Sequence, residues 1–320
     1  MKKICVMHRA SIGDTLLATP IYRALKENFP DAEIIAIVSP VGYELLQNNL
    51  YIDTLIKYQK GDSILSVVKK IFRADVAIIL DYHYRNALLA FLAMIPKRIG
   101  RGKDFINCRV EELPLETFEP IKYLSLLKPL GISTENLSLA KIIATDSEKI
   151  RAEKLIAEIK NPAQKLVLIA PISLSPLKDW SAENYREIIR RLQNKNCVVA
   201  MIGGNVEREL IEKNFPGVIN FAGKTNLRES AEIISRADLH ISGCTAMLHV
   251  CSTTKTPALA IYGPTNPAQW APKNCTVITH NFDCSPCYNV HEKICDGNKC
   301  IQDISVDEVW SAIEKILAEN

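Results

Sequence analysis

Residues 237–270 read ADLHISGCTAMLHVCSTTKTPALAIYGPTNPAQW. An apolar run ending in small residues, 239–243, leads into Thr245, which opens a helix-like apolar segment through Cys251; Pro257 then precedes a second apolar run, 258–262. This is a strand, tight turn, helix, strand unit, the repeating element of a parallel α/β sheet. Its turn leaves unbonded backbone N–H groups at the start of a helix, where the partial positive charge of the helix dipole favours a phosphate or diphosphate.

The same alternation extends outward in both directions. In the first half, strands are expected at 3–7, 33–38, 54–57 and 76–80, with a helix at 15–28 that stops before Phe29-Pro30-Asp31. In the second half, strands are expected at 166–170, 197–202, 239–242 and 258–262, separated by helices at 182–193, 206–213, 227–235 and 246–253. A charged helix over 145–160 followed by Asn161-Pro162 separates the halves, giving a first domain at 1–160 and a second at 161–320. The last amphipathic helix, 305–318, has Ser305 as N-cap and is placed to pack back on the first domain. Two such α/β domains, with strand C-terminal ends turned inward, are expected to bind ligands in the crevice they frame.

Composition narrows the function. The 39 basic residues are nearly matched by 36 acidic ones, so the net charge of +3 gives no ground for a nucleic-acid partner. The first residues, MKKICVMHRASIGD, carry only a short apolar run without a cleavage site, and no apolar stretch reaches the ~20 residues of a membrane helix. A cytoplasmic protein is expected, with any membrane contact peripheral and at the inner face. Of ten cysteines, Cys5, Cys108, Cys197, Cys244, Cys251 and Cys275 stand singly and read as small buried residues. The others form Cys284-x2-Cys287-x7-Cys295-x4-Cys300, a spacing that fits a structural zinc, with His291 as a further ligand, or a disulfide staple.

Several polar residues sit where strands give way to helices. Arg9-Ala10-Ser11-Ile12-Gly13-Asp14 follows the first strand, so Asp14 lies at a helix N-terminus and Gly13 permits close backbone approach; capping of that helix is the alternative role of Asp14. Lys178 falls between a strand and the next helix, and Gly203-Gly204 ends another strand. Pro96-Lys97-Arg98-Ile99-Gly100-Arg101-Gly102-Lys103 reads as a compact basic loop, a solvated face unless an anion binds there. His249 has apolar helix neighbours, which fits a hydrogen-bonded core histidine.

Ser11 to Asp14, Lys178-Asp179-Trp180, residues 221–227 and residues 237–272 together resemble glycosyltransferase family 9, the heptosyltransferases of lipopolysaccharide core synthesis. The resemblance implies an α/β fold of the GT-B type, two Rossmann-like domains facing across a cleft, the first for the acceptor and the second for a nucleotide-sugar donor. It implies inverting transfer of a heptose or related sugar, ADP-heptose being the usual donor, to a lipid-linked or cell-surface glycan, with no cofactor in catalysis. By position, Asp14 is the implied base and Lys178 the implied counterion of the leaving diphosphate. The implied donor site comprises Ser11, Gly13, Gly203, Gly223, Thr225, Leu227, Cys244, Thr245, Ala246, Met247 and His249. Arg9, Arg98 and Arg101 are candidates for an anionic acceptor. The chain departs from the family pattern at Cys244 and Ala246, where an acid and a glycine are usual, and at Asp179, where an arginine is common; Leu248-His249 stands where the family has a Met-His pair. Two rival functions are a nucleotide-sugar epimerase of similar architecture, which would convert donor alone, and a non-catalytic nucleotide-sugar-binding protein.

Overall fold

The computed structural model describes residues 1–133, 135–173, 175–287 and 298–319. Contacts divide the chain into two compact units, Met1–Ile143 and a second from Ala144 onward. The first holds β1 (Lys3–His8), β2 (Glu33–Val38), β3 (Thr54–Lys57), β4 (Val76–Ile79), β5 (Lys97–Gly100) and β6 (Cys108–Arg109), all parallel, in the order β3-β2-β1-β4-β5-β6. The second holds β7 (Leu166–Ala170), β8 (Val198–Met201), β9 (Ile219–Asn220), β10 (Leu239–Gly243), β11 (Ala258–Tyr262) and β12 (Cys275–Thr279), also parallel, in the order β12-β11-β10-β7-β8-β9.

Counted from its own first strand, each sheet has the doubly wound order 3-2-1-4-5-6. The winding therefore reverses between β1 and β4 in one unit and between β7 and β10 in the other, and the loops after those strands are where such a fold opens a crevice. The central strands are apolar on both faces because helices cover both: β1 is buried from Ile4 onward and β10 throughout.

The boundary falls earlier than 160 because the helix Asp146–Ala157 belongs to the second unit. Thr145 caps it, accepting from Glu148 N while Glu148 accepts from Thr145 N. The same Glu148 carboxylate receives Arg228 at 2.7 Å and Asn226 Nδ2 at 2.9 Å from the start of the helix Leu227–Ser235, so two helix N-termini are tied by one nearly buried acid. The Arg228 hydrogen bonds pull the Glu148 carboxyl from 4.5 to about 2. Because the folded value lies below the unfolded one, this stabilisation is present above about 4.5 and is lost as pH falls toward 2. Glu148→Ala is expected to cost about 3 kcal/mol at pH 7, read as a lower thermal midpoint, with the gap to the parent closing over that acid range.

The helix Val306–Glu319 seats Val309, Ile313 and Ile316 in the second core beside Ile188 and Leu192 of the helix Ala182–Asn194. Its apolar face is thus taken up within the second unit. The expected single helix at 15–28 is two, Ile12–Leu17 and Pro20–Asn28, because Pro20 has no N–H to continue the first and suits the first turn of the second. Among the described residues, no helix is long and apolar enough to cross a membrane.

Candidate active site

In the first unit, β1 delivers His8, Arg9 and Ala10 to the point where the winding reverses. Ser11 is the N-cap of the helix Ile12–Leu17, which places Asp14 in its first turn and Gly13, buried, beneath the sheet edge. The capping role considered for Asp14 falls to Ser11, and the Ser11 hydroxyl turns instead to Asp14, donating to Oδ2 at 2.6 Å. Tyr123 donates to Asp14 Oδ1 at a long 3.5 Å. Burial, and then the Asp14 charge, push the Tyr123 hydroxyl well above its ordinary value, so it remains a donor. His8 packs its ring edge-on against Tyr123 at 5.1 Å and is itself buried; burial lowers it to about 4, with Asp14 opposing, and it is neutral at physiological pH.

The adjacent strand brings a second acid. Asp81, two residues past the end of β4, accepts from Arg9 N at 3.2 Å, Asn86 Nδ2 at 2.6 Å and His83 N at 3.1 Å. Arg9 Nε donates in turn to Asn86 Oδ1, and its guanidinium lies 5.1 Å from the Tyr58 ring centre. Burial raises the Asp81 carboxyl against the pull of these donors. Asp81, His8 and Tyr123 were not singled out from sequence; the signal for Asp81 was an acid directly after the apolar run 76–80. Beside it, a shallow open depression is lined by Asp81, Tyr82, His83, Tyr84, Lys103 and Asp104, among others.

The basic segment 96–103 is not a single solvated loop. Its first half is the strand β5, and both expected acceptor arginines are engaged with carbonyls. Arg98 donates to Phe105 O and Ile95 O, each at 2.6 Å, and Arg101 is buried with its guanidinium on Lys122 O and Ser125 Oγ. A linear run of charge does not reveal which donors the fold will use internally, and here it spends these two on structure.

In the second unit, β7 leads through a 3-10 turn, Pro176–Lys178, to the helix Ala182–Asn194 capped by Ser181. Three anchors fix that loop. Trp180 is buried against Tyr185 and donates to Ile304 O at 2.9 Å; the Asp179 carboxylate accepts from Ser173 N at 2.8 Å; and Asp179 O accepts from Gln302. Asp179, which departs from the family pattern, thus closes its own loop. On the neighbouring strand, a Cβ at Gly243 would stand 3.2 Å from Lys178 O, so the glycine is what lets the Lys178 backbone lie against the end of β10.

Beyond Gly243, Thr245 caps the short helix Ala246–Cys251, accepting from Leu248 N at 3.4 Å. Cys244, Thr245 and Ala246 are half-buried, whereas Met247 and His249 are buried in the helix. The Cys244 thiol lies beside the Tyr262 hydroxyl, whose value is raised by burial first and by Cys244 second. The glycine-bearing loops meet at the same edge of the sheet. Gly223 has φ +67° and a Cβ there would fall 2.8 Å from Asn205 Oδ1, so both conformation and space require glycine, while Gly223 N donates to Gly203 O. Thr225 bonds Ser230 through their hydroxyls at 2.8 Å, and Leu227 opens the following helix behind the Asn226 cap.

Of the clustered cysteines, Cys284 is exposed, Cys287 half-buried and Cys300 buried; Cys295 and His291 lie outside the described residues. Among the described residues no three His, Cys, Asp or Glu side chains group as a metal site would. Of the single cysteines, Cys5, Cys197 and Cys251 are buried as expected, while Cys108, Cys244 and Cys275 are only half-buried.

Comparison with known proteins now adds to this geometry. The family model for glycosyltransferase family 9 (heptosyltransferase) matches residues 64–295. The lipopolysaccharide core heptosyltransferase OpsX of Haemophilus influenzae is 26% identical over 293 residues, covering 85% of this chain and 82% of that protein. Among solved structures, a glycosyl transferase family 9 protein from Veillonella parvula aligns with a TM-score of 0.86 at 22% identity over 100% of this chain and 98% of that one. The ADP-heptose lps heptosyltransferase II of E. coli aligns with a TM-score of 0.81 at 20% identity, over 100% and 99%. At these identities the structural likeness establishes the shared fold, the two-unit α/β architecture of GT-B enzymes.

Proposed function

The chain belongs to glycosyltransferase family 9, and on that premise we propose that it transfers a heptose or related sugar, with inversion, from an ADP-linked donor to a lipopolysaccharide-core or other lipid-linked saccharide. The observation that carries the proposal is the Asp14 carboxylate, held by Ser11 and Tyr123 at the C-terminal edge of β1.

In the proposed reaction an acceptor hydroxyl gives its proton to Asp14 as its oxygen attacks the anomeric carbon. The bond from that carbon to the diphosphate breaks, and ADP leaves with the electron pair. Charge grows on the diphosphate as the bond lengthens. The Lys178 ammonium, the Thr245 hydroxyl and the N–H groups of Ala246 and Met247 are the donors of the second unit suited to that charge. Ala246 adds a methyl where the family has glycine, yet its N–H remains at the helix start, and Cys244 directs its thiol to Tyr262. The step requires no cofactor, since base, leaving group and counterion are all supplied by residues and donor. The depression with Asp81, Tyr82 and Tyr84 supplies aromatic faces and charge suited to an acceptor saccharide. The ADP assignment is supported by the substrate named for the E. coli relative.

Incubation with ADP-heptose and a heptose-free core acceptor tests this by the mass gained by the acceptor and the ADP released. Product is expected only when donor and acceptor are both present. Conversion of donor alone would replace the proposal with epimerisation, and donor binding without turnover would leave a binding protein.

A further inference from the structure

The first unit carries a second distinctive surface, at the end of its sheet away from Asp14 and Asp81. The helices Ile64–Ile71 and Tyr84–Leu92 return the chain to the N-terminal ends of β4 and β5, and their last turns lie side by side, with Arg73 N donating to Ala93 O at 2.9 Å. Phe72, Phe91, Leu92 and Met94 emerge there, each 45–60% exposed. Phe105 extends the patch toward the depression beside Asp81, which its neighbours Asp104 and Ile106 line; its ring centre is 5.3 Å from that of Phe91.

This patch is maintained against local backbone preference. Among the described residues, six non-glycine positions have positive φ; three are Asn48, Asn196 and Asn298, the type that tolerates it. The other three are Arg73 at +53°, Met94 at +55° and Phe105 at +59°, all in this patch. Arg73 and Met94 each stand just past a helix end, where glycine ordinarily relieves the strain. The chain instead holds a cation and two large apolar groups in solvent, and strain of this kind gathers where a surface has a task.

The charges named around the patch are mostly positive. Lys69 and Lys70 occupy the last turn of their helix, the Arg73 guanidinium lies 5.6 Å from the Phe72 ring centre, and that of Arg98 lies 5.5 Å from Phe91. Asp75, two residues past Arg73, directs its carboxylate to the N–H groups of Lys2 and Lys3. Asp104, beside Phe105, is the acid closest in sequence to the apolar group.

We infer that this surface docks on an anionic lipid bilayer, with Phe72, Phe91, Leu92, Met94 and Phe105 entering the headgroup boundary and Lys69, Lys70 and Arg73 meeting lipid phosphates. A two-fold contact with a second copy is disfavoured by the charge, because it would set these cations against themselves. Phe72, Phe91, Leu92 and Met94 lie where the strands begin, so the C-terminal edge carrying Asp14 stays open. The purpose of docking rests on the lipid-linked acceptor proposed above; the surface itself does not.

Vesicle flotation tests it, with phosphatidylglycerol–phosphatidylcholine vesicles against phosphatidylcholine alone. The parent is expected to float with the anionic vesicles and to release as salt rises. Met94→Gly with Phe105→Gly is expected to weaken partitioning at least about tenfold. Its thermal midpoint should be unchanged or higher, because glycine takes positive φ without strain. Lys69→Gln with Lys70→Gln should lose roughly fivefold per charge. A parent that floats with neither vesicle, variants that float as the parent does, or variants that convert a dimer to a monomer in sedimentation would each overturn the inference. Because the readout is binding, absence of sugar transfer counts against the proposed function alone.

Discussion

Asp14→Asn is expected to yield a folded protein that still binds ADP and transfers sugar about a thousandfold more slowly than the parent. Asparagine keeps the shape of the side chain and its oxygen can still accept from Ser11, so the helix Ile12–Leu17 keeps its first turn. What is lost is the capacity to take a proton. Asp81 is the obvious competitor for this role, since burial raises its carboxyl in the direction that suits a base. Geometry decides against it: Asp81 already accepts from Arg9 N, His83 N and Asn86 Nδ2, and pinning the two strand ends occupies its oxygens. Among the described residues, the hydrogen bond to Asp14 Oδ1 is the long Tyr123 contact, and the neighbouring His8 is neutral. The measurement is kcat for transfer with ADP affinity by calorimetry as control. A parental rate would remove Asp14 from the chemistry and turn attention to Asp81.

How far the sequence foretold this differs between strands and site. β1, β2, β4, β7, β10 and β11 were legible because their apolar runs are buried on both faces, which leaves little else for such a segment to be. β6 and β9 are two residues each, too short for periodicity to register, and β12 is an edge strand with a mixed half-exposed pattern. β5 was concealed by its composition: Lys97 and Arg98 look like solvated charge until the Arg98 guanidinium is seen on Phe105 O and Ile95 O. Pro20 lies inside the segment expected to be one helix, and its missing N–H divides that segment in two.

The candidate site shows the same division. Asp14, Lys178 and Thr245 were legible as candidates because they occupy strand-to-helix turns, and turn position is written in the local sequence. The partners that orient them were not, because Tyr123 is over a hundred positions from Asp14 (|i−j| = 109) and Gln302 similarly far from Asp179 (|i−j| = 123). Two doubly wound sheets fix which loops meet; single-sequence patterns cannot name the distant side chains that the fold then brings to them.

Replacing Lys178 by glutamine is expected to lower kcat about a hundredfold while changing the donor KM by much less. The Lys178 backbone is firmly rooted. Trp180 is sunk in the second core, Asp179 is bonded through its carboxylate to Ser173 N and through its carbonyl to Gln302, and the absence of a side chain at Gly243 lets Lys178 O abut β10. The ammonium therefore springs from a fixed point at the same sheet edge as Thr245 and the N–H groups of Ala246 and Met247. Neutral amide donors can bind a diphosphate in the ground state, but a full positive charge gains more as the leaving group takes up electrons, so its removal falls on kcat. Lys178→Arg keeps the charge on a longer, planar group and should recover part of the rate. A glutamine variant with parental kcat would show that the amides and the helix dipole suffice for the leaving charge; loss confined to KM would show that Lys178 binds the donor equally before and during transfer.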